Sequence, residues 1–123
     1  VVMIDDSIVR GTTSKRIVRL LKEAGAKEVH VRIASPAIKW PCFYGVDMST
    51  IDELISNKLS TEELCEYIEA DSLAFISEEG IDKSIHYNKE EHKCSLCLAC
   101  FNGEYVTNLY DSFETEKIKK GKI

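Results

Sequence analysis

Residues 1–14 read VVMIDDSIVRGTTS, and this stretch carries most of what the sequence predicts about the fold. Its first four residues form a continuous apolar run, which is typical of a parallel strand covered on both faces. Two acids, Asp5 and Asp6, follow at once, and a loop of small and hydroxylated residues then leads into a helix predicted to begin at Ser14. We therefore expect a strand, a ligand-binding loop and a helix, in that order.

The residues that follow complete a βαβ unit. Over residues 14–24, apolar side chains recur at helical spacing and predict one buried face, formed by Ile17, Leu20, Leu21 and Ala24. Gly25 is a natural end for this helix. A second strand is predicted where Val29, Val31 and Ile33 alternate with polar neighbours. A strand, a helix and a strand in so short a space predict an α/β fold on a parallel sheet, with a right-handed crossover.

Beyond Ile33 the sequence predicts shorter elements. Residues 35–48 are predicted to form a loop, since both prolines of the chain fall within them. Two capping boxes each predict a short helix, and they pair Ser49 with Asp52 and Ser60 with Glu63. The remaining predictions are a strand over 73–76, a helix over 78–85, an irregular segment over 87–100 and a charged tail over 114–123.

Asp5 and Asp6 lie at the carboxyl end of a parallel strand, where the ligands of open α/β sheets gather. Their carboxylates suit the hydroxyls of a ribose, or Mg²⁺ held with waters. The small residues up to Ser14 let backbone N–H groups point at an anion, and the positive end of the helix dipole adds to the attraction. Each residue alone is better explained as a strand end or a helix cap, but the whole ordered string favours a sugar-phosphate site.

Two other folds begin in a comparable way. Response-regulator receiver domains have this length and an apolar strand ending in paired acids, and Asp47 lies at a distance compatible with their phosphorylated residue. Receivers lack a phosphate loop of the form Arg-Gly-Thr-Thr-Ser, and the residues before Asp47 give little sign of a strand. A dinucleotide-binding fold is disfavoured because no G-x-G-x-x-G follows the first strand.

Five cysteines are present, and three of them are crowded as Cys94-x-x-Cys97-x-x-Cys100. Thiolates at this spacing can bind one metal or cluster, because a tight turn brings the sulfurs together. The spacing alone leaves an iron–sulfur cluster and a zinc-binding interaction module equally open, with Cys42 available as a fourth ligand. Cys65 lies at an apolar position of a predicted helix and is better explained as a small buried hydrophobe.

Length and composition set limits on the function. The chain has 123 residues, 44% of them apolar and 30% charged, as expected of one small globular domain. Its net charge of −5 gives no basis for broad binding to nucleic acid or to anionic membranes. No apolar run approaches the ~20 residues of a membrane-spanning helix. The crowded, odd-numbered cysteines favour a reducing compartment, and we expect the cytoplasm.

Three blocks of sequence together resemble one family. Residues 4–14 read IDDSIVRGTTS, residues 41–48 read PCFYGVDM after a Ser-Pro pair at 35–36, and residues 97–105 read CLACFNGEY. In this order they resemble the glutamine phosphoribosyl pyrophosphate (PRPP) amidotransferases, or amidophosphoribosyltransferases, which catalyse the first step of purine synthesis. The resemblance implies a partial type I phosphoribosyltransferase fold followed by a mostly helical C-terminal segment.

The resemblance also implies a division of the chain and roles for single residues. Residues 1–48 would be the PRPP-binding βαβ unit and loop, and residues 49–123 the helical, cluster-binding segment, both within the C-terminal part of a phosphoribosyltransferase domain. Asp5 and Asp6 would bind Mg²⁺ and the ribose hydroxyls of PRPP. The 5′-phosphate of PRPP, or of an inhibiting purine nucleotide, would be held by Val9, Arg10, Gly11, Thr12, Thr13 and Ser14. No role follows for the side chain of Arg10, which could face solvent.

Many members of the family have a 4Fe–4S cluster held by four cysteines. Cys42, Cys97 and Cys100 match three of these ligands, and the family's fourth ligand lies upstream of the PRPP motif, outside this chain. Cys94 has no counterpart in the pattern, so it is either a bystander or a substitute ligand. The resemblance implies that the cluster is structural and takes no part in redox catalysis.

The reaction implied by the family has two halves. A glutaminase domain with an N-terminal cysteine nucleophile releases ammonia, and ammonia then displaces pyrophosphate from PRPP to give 5-phosphoribosylamine. The glutaminase domain, the pyrophosphate-binding loop and the flexible active-site loop all precede the PRPP motif in the family. We therefore expect these 123 residues to hold no catalytic residue and to be inactive alone, and the full-length protein to be a homo-oligomer.

Overall fold

The computed structural model describes residues 1–46, 51–85 and 96–107. Three parallel strands form one sheet in the order β1-β2-β3, and they span Val2–Asp5 (β1), His30–Ile33 (β2) and Ser72–Phe75 (β3). In the register of the sheet, Asp5 lies beside Ile33, and Ile33 beside Phe75. The predicted α/β fold on a parallel sheet is confirmed.

The helices within these ranges are short. They span Thr12–Glu23 (α1), Thr61–Tyr67 (α2), Glu78–Ser84 (α3) and Ala99–Asn102 (α4), with 3₁₀ turns over Ile51–Glu53 and Ile55–Asn57. The strand predicted over 73–76 and the helix predicted over 78–85 are confirmed with small differences at their ends. In this described part of the chain, no helix is both long enough and apolar enough to cross a membrane.

One of the two predicted capping boxes can be compared with the structure, and it is confirmed. Ser60 Oγ accepts from the backbone N–H of Glu63 at 3.1 Å, and the Glu63 carboxylate accepts from the backbone N–H of Ser60 at 2.8 Å. Ser49, the first residue of the other box, lies outside the described residues, and so does the charged tail over 114–123. Most of the segment predicted to be irregular lies outside as well, and its last two residues begin α4.

Helix α1 ends as the sequence predicts, at Gly25. The N–H of Gly25 donates to the carbonyl oxygen of Lys22, and the N–H of Ala26 donates to that of Leu21, each at 3.0 Å. This pair of bonds is a Schellman motif, which requires a left-handed residue, and Gly25 has a φ of +100°.

The buried face of α1 differs from the predicted one. Val18 is fully buried and Ser14 is 3% exposed, whereas Leu20 is 53% exposed and Ala24 is also exposed. Ile17 and Leu21 pack partly against the core, as predicted. The buried stripe therefore passes through residues 14, 17, 18 and 21 because the first turn of the helix, which carries the candidate site, is itself packed against the sheet.

The core lies on one face of the sheet. It is formed by Met3, Ile8, Val18, Val29, Val31, Ile33, Leu64 and Ile68. The prediction that the first strand is covered on both faces is wrong for this chain, because Val2 is 63% exposed and Ile4 is 76% exposed. Side chains alternate between the faces of a strand, and among the described residues α1 and α2 pack on the face that carries Met3 and Val31.

Candidate functional site

An open cavity of about 400 Å³ lies where β1 ends and α1 begins. An unbroken run of sequence lines it, from Asp5 to Ser14. The structure therefore brings together every residue for which the sequence predicted a role in binding Mg²⁺ or PRPP: Asp5, Asp6, Val9, Arg10, Gly11, Thr12, Thr13 and Ser14. Because the strand and the helix are both packed into the core, the two ends of this loop have fixed positions.

The two carboxylates are held by local hydrogen bonds. Asp5 Oδ1 accepts from the backbone N–H of Asp6 at 3.0 Å, and Asp6 Oδ1 accepts from the Ser7 hydroxyl at 3.1 Å. The carbonyl oxygen of Asp5 also accepts from the N–H of Ala34 at 2.9 Å, which continues the pairing of β1 with β2. An ionised carboxylate has about four acceptor positions, so each acid keeps capacity for a ribose hydroxyl or for the waters around Mg²⁺.

The turn into α1 is the part of the loop for which the sequence predicts phosphate binding. Gly11 is the N-cap residue, with a φ of +75°, and no side chain caps this helix end. The first N–H groups of a helix have no partner within the helix, so those that follow Gly11 are available to an anion. Thr12 and Thr13 are exposed and can add hydroxyl donors, whereas Ser14 is almost fully buried.

Glycine is required at position 11 for two reasons. Its positive φ is a conformation that L residues rarely adopt. A Cβ atom there would also lie 3.2 Å from Ile55 Cδ1 and 3.2 Å from Tyr67 Cε1. The loop can therefore pass close to the segment that contains these two residues only because Gly11 has no side chain.

The side chain of Arg10 contacts Glu53, a residue for which no sequence pattern predicts a role. Its guanidinium binds the carboxylate of Glu53, and the Arg10 side chain is 57% exposed. This agrees with the expectation that the side chain of Arg10 could face solvent. No signal near Arg10 indicates Glu53 as its partner, because the two residues are far apart in the sequence and belong to different elements.

Three of the cysteines lie in a second region, where the loop before Gly45 meets α4. The carbonyl oxygen of Cys100 accepts from the N–H groups of Lys39 and Trp40, at 3.0 and 3.1 Å. The Trp40 ring lies against Gly103, so closely that a Cβ atom on Gly103 would be 2.8 Å from Cε2 of the ring. These contacts bring the loop that carries Cys42 to the helix that carries Cys100.

The Cys100 thiol is partly buried, whereas Cys97 is exposed. Burial raises the pKa of the Cys100 thiol, and the neighbouring thiols of Cys42 and Cys97 raise it further. Burial also raises the pKa of Tyr105 to about 12, with smaller contributions from the same cysteines. The Tyr105 hydroxyl donates to the carbonyl oxygen of Pro41 at 2.7 Å. The predicted ligands Cys42, Cys97 and Cys100 therefore lie in the same region of the fold.

The candidate cluster ligands are all thiols. Cys42, Cys97 and Cys100 are all free thiols, which is the ligand type that iron–sulfur clusters use. Across residues 1–46, 51–85 and 96–107, no three ligating side chains are close enough to hold one metal ion. Cys94 lies outside the described residues.

Cys65 is separate from this group. Its thiol is half-buried and donates to the carbonyl oxygen of Ala70 at 3.3 Å, and its pKa is raised mainly by burial. These contacts lie within the end of α2 and agree with the predicted packing role.

Comparison with known proteins gives one consistent result, although no family model matches the chain. An amidophosphoribosyltransferase of Bacillus subtilis is 53% identical over 120 residues, which are 98% of this chain and 25% of the relative. Chloroplastic amidophosphoribosyltransferase 1 of Arabidopsis thaliana is 60% identical over 122 residues, or 98% of this chain and 20% of the relative. The chain thus spans about a quarter or a fifth of the length of these relatives.

A solved structure agrees with the sequence comparison. The glutamine PRPP amidotransferase of B. subtilis, complexed with ADP and GMP, superposes with a TM-score of 0.80 at 56% sequence identity. The match covers 89% of this chain and 24% of that chain.

Proposed function

Because this chain is homologous over nearly its whole length to a C-terminal part of the amidophosphoribosyltransferases, we propose that it supplies the PRPP-binding element of such an enzyme. The observation that carries the proposal is the cavity lined by residues 5–14, in which two carboxylates adjoin the open N-terminus of a helix. Carboxylates accept hydrogen bonds from sugar hydroxyls, and helix N-termini bind phosphate. The cavity thus offers complementary groups to both ends of a ribose 5-phosphate.

In this proposal the chain has two functional parts. Residues 1–48 are the PRPP-binding βαβ unit with its loop, and residues 49–123 are the C-terminal helical and cluster-binding segment of the same phosphoribosyltransferase domain. The second part also supplies strand β3 to the sheet, and the first supplies the cluster ligand Cys42. Asp5 and Asp6 hold the ribose hydroxyls and Mg²⁺. The N–H groups after Gly11, with the hydroxyls of Thr12 and Thr13, hold the 5′-phosphate of PRPP or of a purine nucleotide.

The proposed reaction of the full-length protein is transfer of the phosphoribosyl group to ammonia that a glutaminase domain releases from glutamine. The bond between the anomeric carbon and pyrophosphate breaks, a bond to nitrogen forms, and 5-phosphoribosylamine and pyrophosphate are the products. Bound Mg²⁺ supplies charge neutralisation for the leaving pyrophosphate. The described residues contribute by fixing the ribose and its 5′-phosphate, so that the anomeric carbon is correctly placed. We assign no catalytic residue within this chain and expect no turnover from the 123 residues alone.

We also propose that Cys42, Cys97 and Cys100 hold three corners of a structural 4Fe–4S cluster, with a fourth cysteine supplied from outside this chain. Support comes from the free thiols of these residues and from their mutual proximity near Tyr105. The cluster would tie the loop before Gly45 to α4. It would add a covalent link to the backbone hydrogen bonds that Lys39 and Trp40 donate to Cys100.

The remaining partners follow from the same proposal. They are PRPP, purine nucleotides, the glutaminase domain of the same protein and further copies of it in a homo-oligomer, with no nucleic acid and no membrane. The cytoplasm is the compartment we propose, since the four described cysteines are unpaired, as in a reducing environment. The chloroplast is the alternative, because two Arabidopsis relatives are chloroplastic by name.

Pyrophosphate release by the full-length gene product tests the proposal. With PRPP, Mg²⁺ and ammonia, we expect turnover that an Asp5→Asn, Asp6→Asn double variant reduces at least about a hundredfold. Asp52→Asn removes one charge from an exposed residue outside the cavity and serves as the control, with unchanged turnover. Absence of PRPP-dependent pyrophosphate release from the unmodified protein would contradict the proposal.

A further inference from the structure

The loop that carries the candidate phosphate site is supported by a segment that is distant in sequence. The backbone N–H of Ile55 donates to the carbonyl oxygen of Val9 at 2.9 Å. The side chains of Ile55 and Tyr67 lie against the space that a Cβ atom on Gly11 would fill. The position of the loop therefore depends on residues 51–67 as well as on its own sequence.

Arg10 lies between these two contacts, and its guanidinium binds Glu53. The Nε of Arg10 donates to Glu53 Oε2 at 2.8 Å, and a terminal guanidinium nitrogen donates to the same oxygen. A planar guanidinium held through two nitrogens has a defined orientation, which an ammonium group would not have. The ion pair therefore fixes the direction in which the side chain leaves the loop.

The ion pair between Arg10 and Glu53 affects the position of the loop and not the global stability of the protein. The Arg10 and Glu53 side chains are 57% and 45% exposed, and ion pairs at such exposure add little to global stability because water screens the charges. Val9, Arg10 and Gly11 are nevertheless three successive residues that are each held by a different contact with residues 51–67. The backbone of residue 10 sets the direction of the N–H groups that follow Gly11, so the pair bears directly on phosphate binding.

We infer that Glu53 is a positioning residue for the phosphate loop: by binding Arg10, it keeps the N–H groups after Gly11 directed at the 5′-phosphate of PRPP. The inference rests on the proposed function of this loop. Glu53 lies outside the residues that line the cavity, so its effect is on the affinity for PRPP and not on the chemical step.

Steady-state kinetics of the full-length gene product, with PRPP as the varied substrate, test this role. Glu53→Gln should raise the KM for PRPP about five- to tenfold and leave kcat within about twofold, since binding is lost equally in ground and transition states. Arg10→Gln should raise the KM at least as much as Glu53→Gln, because it removes the guanidinium of the same ion pair.

Asp52→Asn is the matched control for charge. Asp52 is exposed and lies in the same 3₁₀ turn as Glu53. The substitution removes the same negative charge, but the residue bound to Arg10 is Glu53 and not Asp52. We expect its KM and kcat to match those of the unmodified protein. Urea unfolding of each variant, followed by circular dichroism, should give the same midpoint as the unmodified protein.

The inference is overturned if Glu53→Gln leaves the KM for PRPP unchanged or lowers it, or if Asp52→Asn raises it equally. The inference is also overturned if Glu53→Gln unfolds at a lower urea concentration and has a correspondingly lower kcat. That result would indicate that Glu53 has a structural role alone. An unmodified protein that releases no pyrophosphate from PRPP contradicts the proposed function itself, so the two failures are distinguishable.

Discussion

The carboxylate of Glu69 binds the guanidinium of Arg19 and so joins the end of α2 to the middle of α1. Arg19 Nε donates to Glu69 Oε2 at 2.9 Å, and Lys15 Nζ lies 3.4 Å from the other carboxylate oxygen. Glu69 has a φ of +63°, a left-handed conformation that glycine adopts more easily. Among the described residues it is the only one besides glycine with positive φ. Its ion pairs offset the strain of this conformation.

This relationship predicts a pH-dependent stability. Hydrogen bonds from Arg19 and Lys15 lower the pKa of Glu69 from 4.5 to about 2. A lowered folded-state pKa stabilises the protein above the ordinary pKa, and this stabilisation is lost as the pH falls through the folded value. Water screens these exposed pairs, so Glu69→Gln should reduce Tm only slightly at pH 7, and the difference from the unmodified chain should shrink between about pH 5 and pH 2.

Thermal unfolding followed by circular dichroism checks this, with Glu66→Gln as the control. Glu66 is exposed and lies in α2, close to Glu69 in the sequence, and no ion pair holds it within the described residues. The control should match the unmodified chain at every pH. A Glu69→Gln difference that stays constant from pH 7 to pH 2 would be inconsistent with the ion pair as its cause.

The contacts around Gly11 predict a second effect, on stability. Gly11→Ala places a Cβ atom against Ile55 and Tyr67 in a left-handed residue, so we expect a loss of about 2–3 kcal/mol in the free energy of unfolding. Gly25→Ala is the matched control, because Gly25 has a φ of +100° and nothing within 4 Å of its Cβ position. It should lose only about 1 kcal/mol, from backbone strain.

Urea unfolding measures both losses. Equal losses in the two variants would show that residues 55 and 67 do not restrict the loop, and the positive φ would then be the sole reason for glycine at position 11.

The proposed cluster ligands Cys42, Cys97 and Cys100 predict that the protein contains iron and sulfide. Anaerobically purified full-length protein should contain iron and acid-labile sulfide, and Cys42→Ser should lose most of both. Cys65→Ser is the control, because the Cys65 thiol donates a hydrogen bond to the carbonyl oxygen of Ala70 and lies apart from the other thiols. Iron, sulfide and zinc analysis provides the measurement, and protein that contains zinc without sulfide would contradict the cluster proposal.

The sequence predicted the candidate site better than it predicted the packing around it. Asp5 to Ser14 are consecutive, so the strand and the helix at either end are enough to predict that they lie together in one cavity. Glu53, Ile55 and Tyr67 were not predicted to support this loop, because their contacts with it span more than 40 residues and depend on how the chain folds back.

The differences in α1 and β1 have a related physical cause. Helical spacing is satisfied by a stripe through Leu20 and Ala24 as well as by one through Ser14 and Val18, and only the packing of the helix on the sheet decides between them. The apolar run at β1 predicts burial on both faces. Within the described residues one face is buried, so Ile4 remains exposed although its neighbour Met3 packs in the core.

The central claim is that residues 5–14 bind the ribose 5-phosphate part of PRPP, and nuclear magnetic resonance of the ¹⁵N-labelled chain tests it most directly. Titration with PRPP and Mg²⁺ should shift the backbone amide signals of Gly11, Thr12 and Thr13, while those of α2 stay unchanged except near Tyr67. An Asp5→Asn, Asp6→Asn variant should shift less at the same PRPP concentration. Amide signals after Gly11 that do not move at about 10 mM PRPP, a concentration that should reveal even millimolar binding, would contradict the claim.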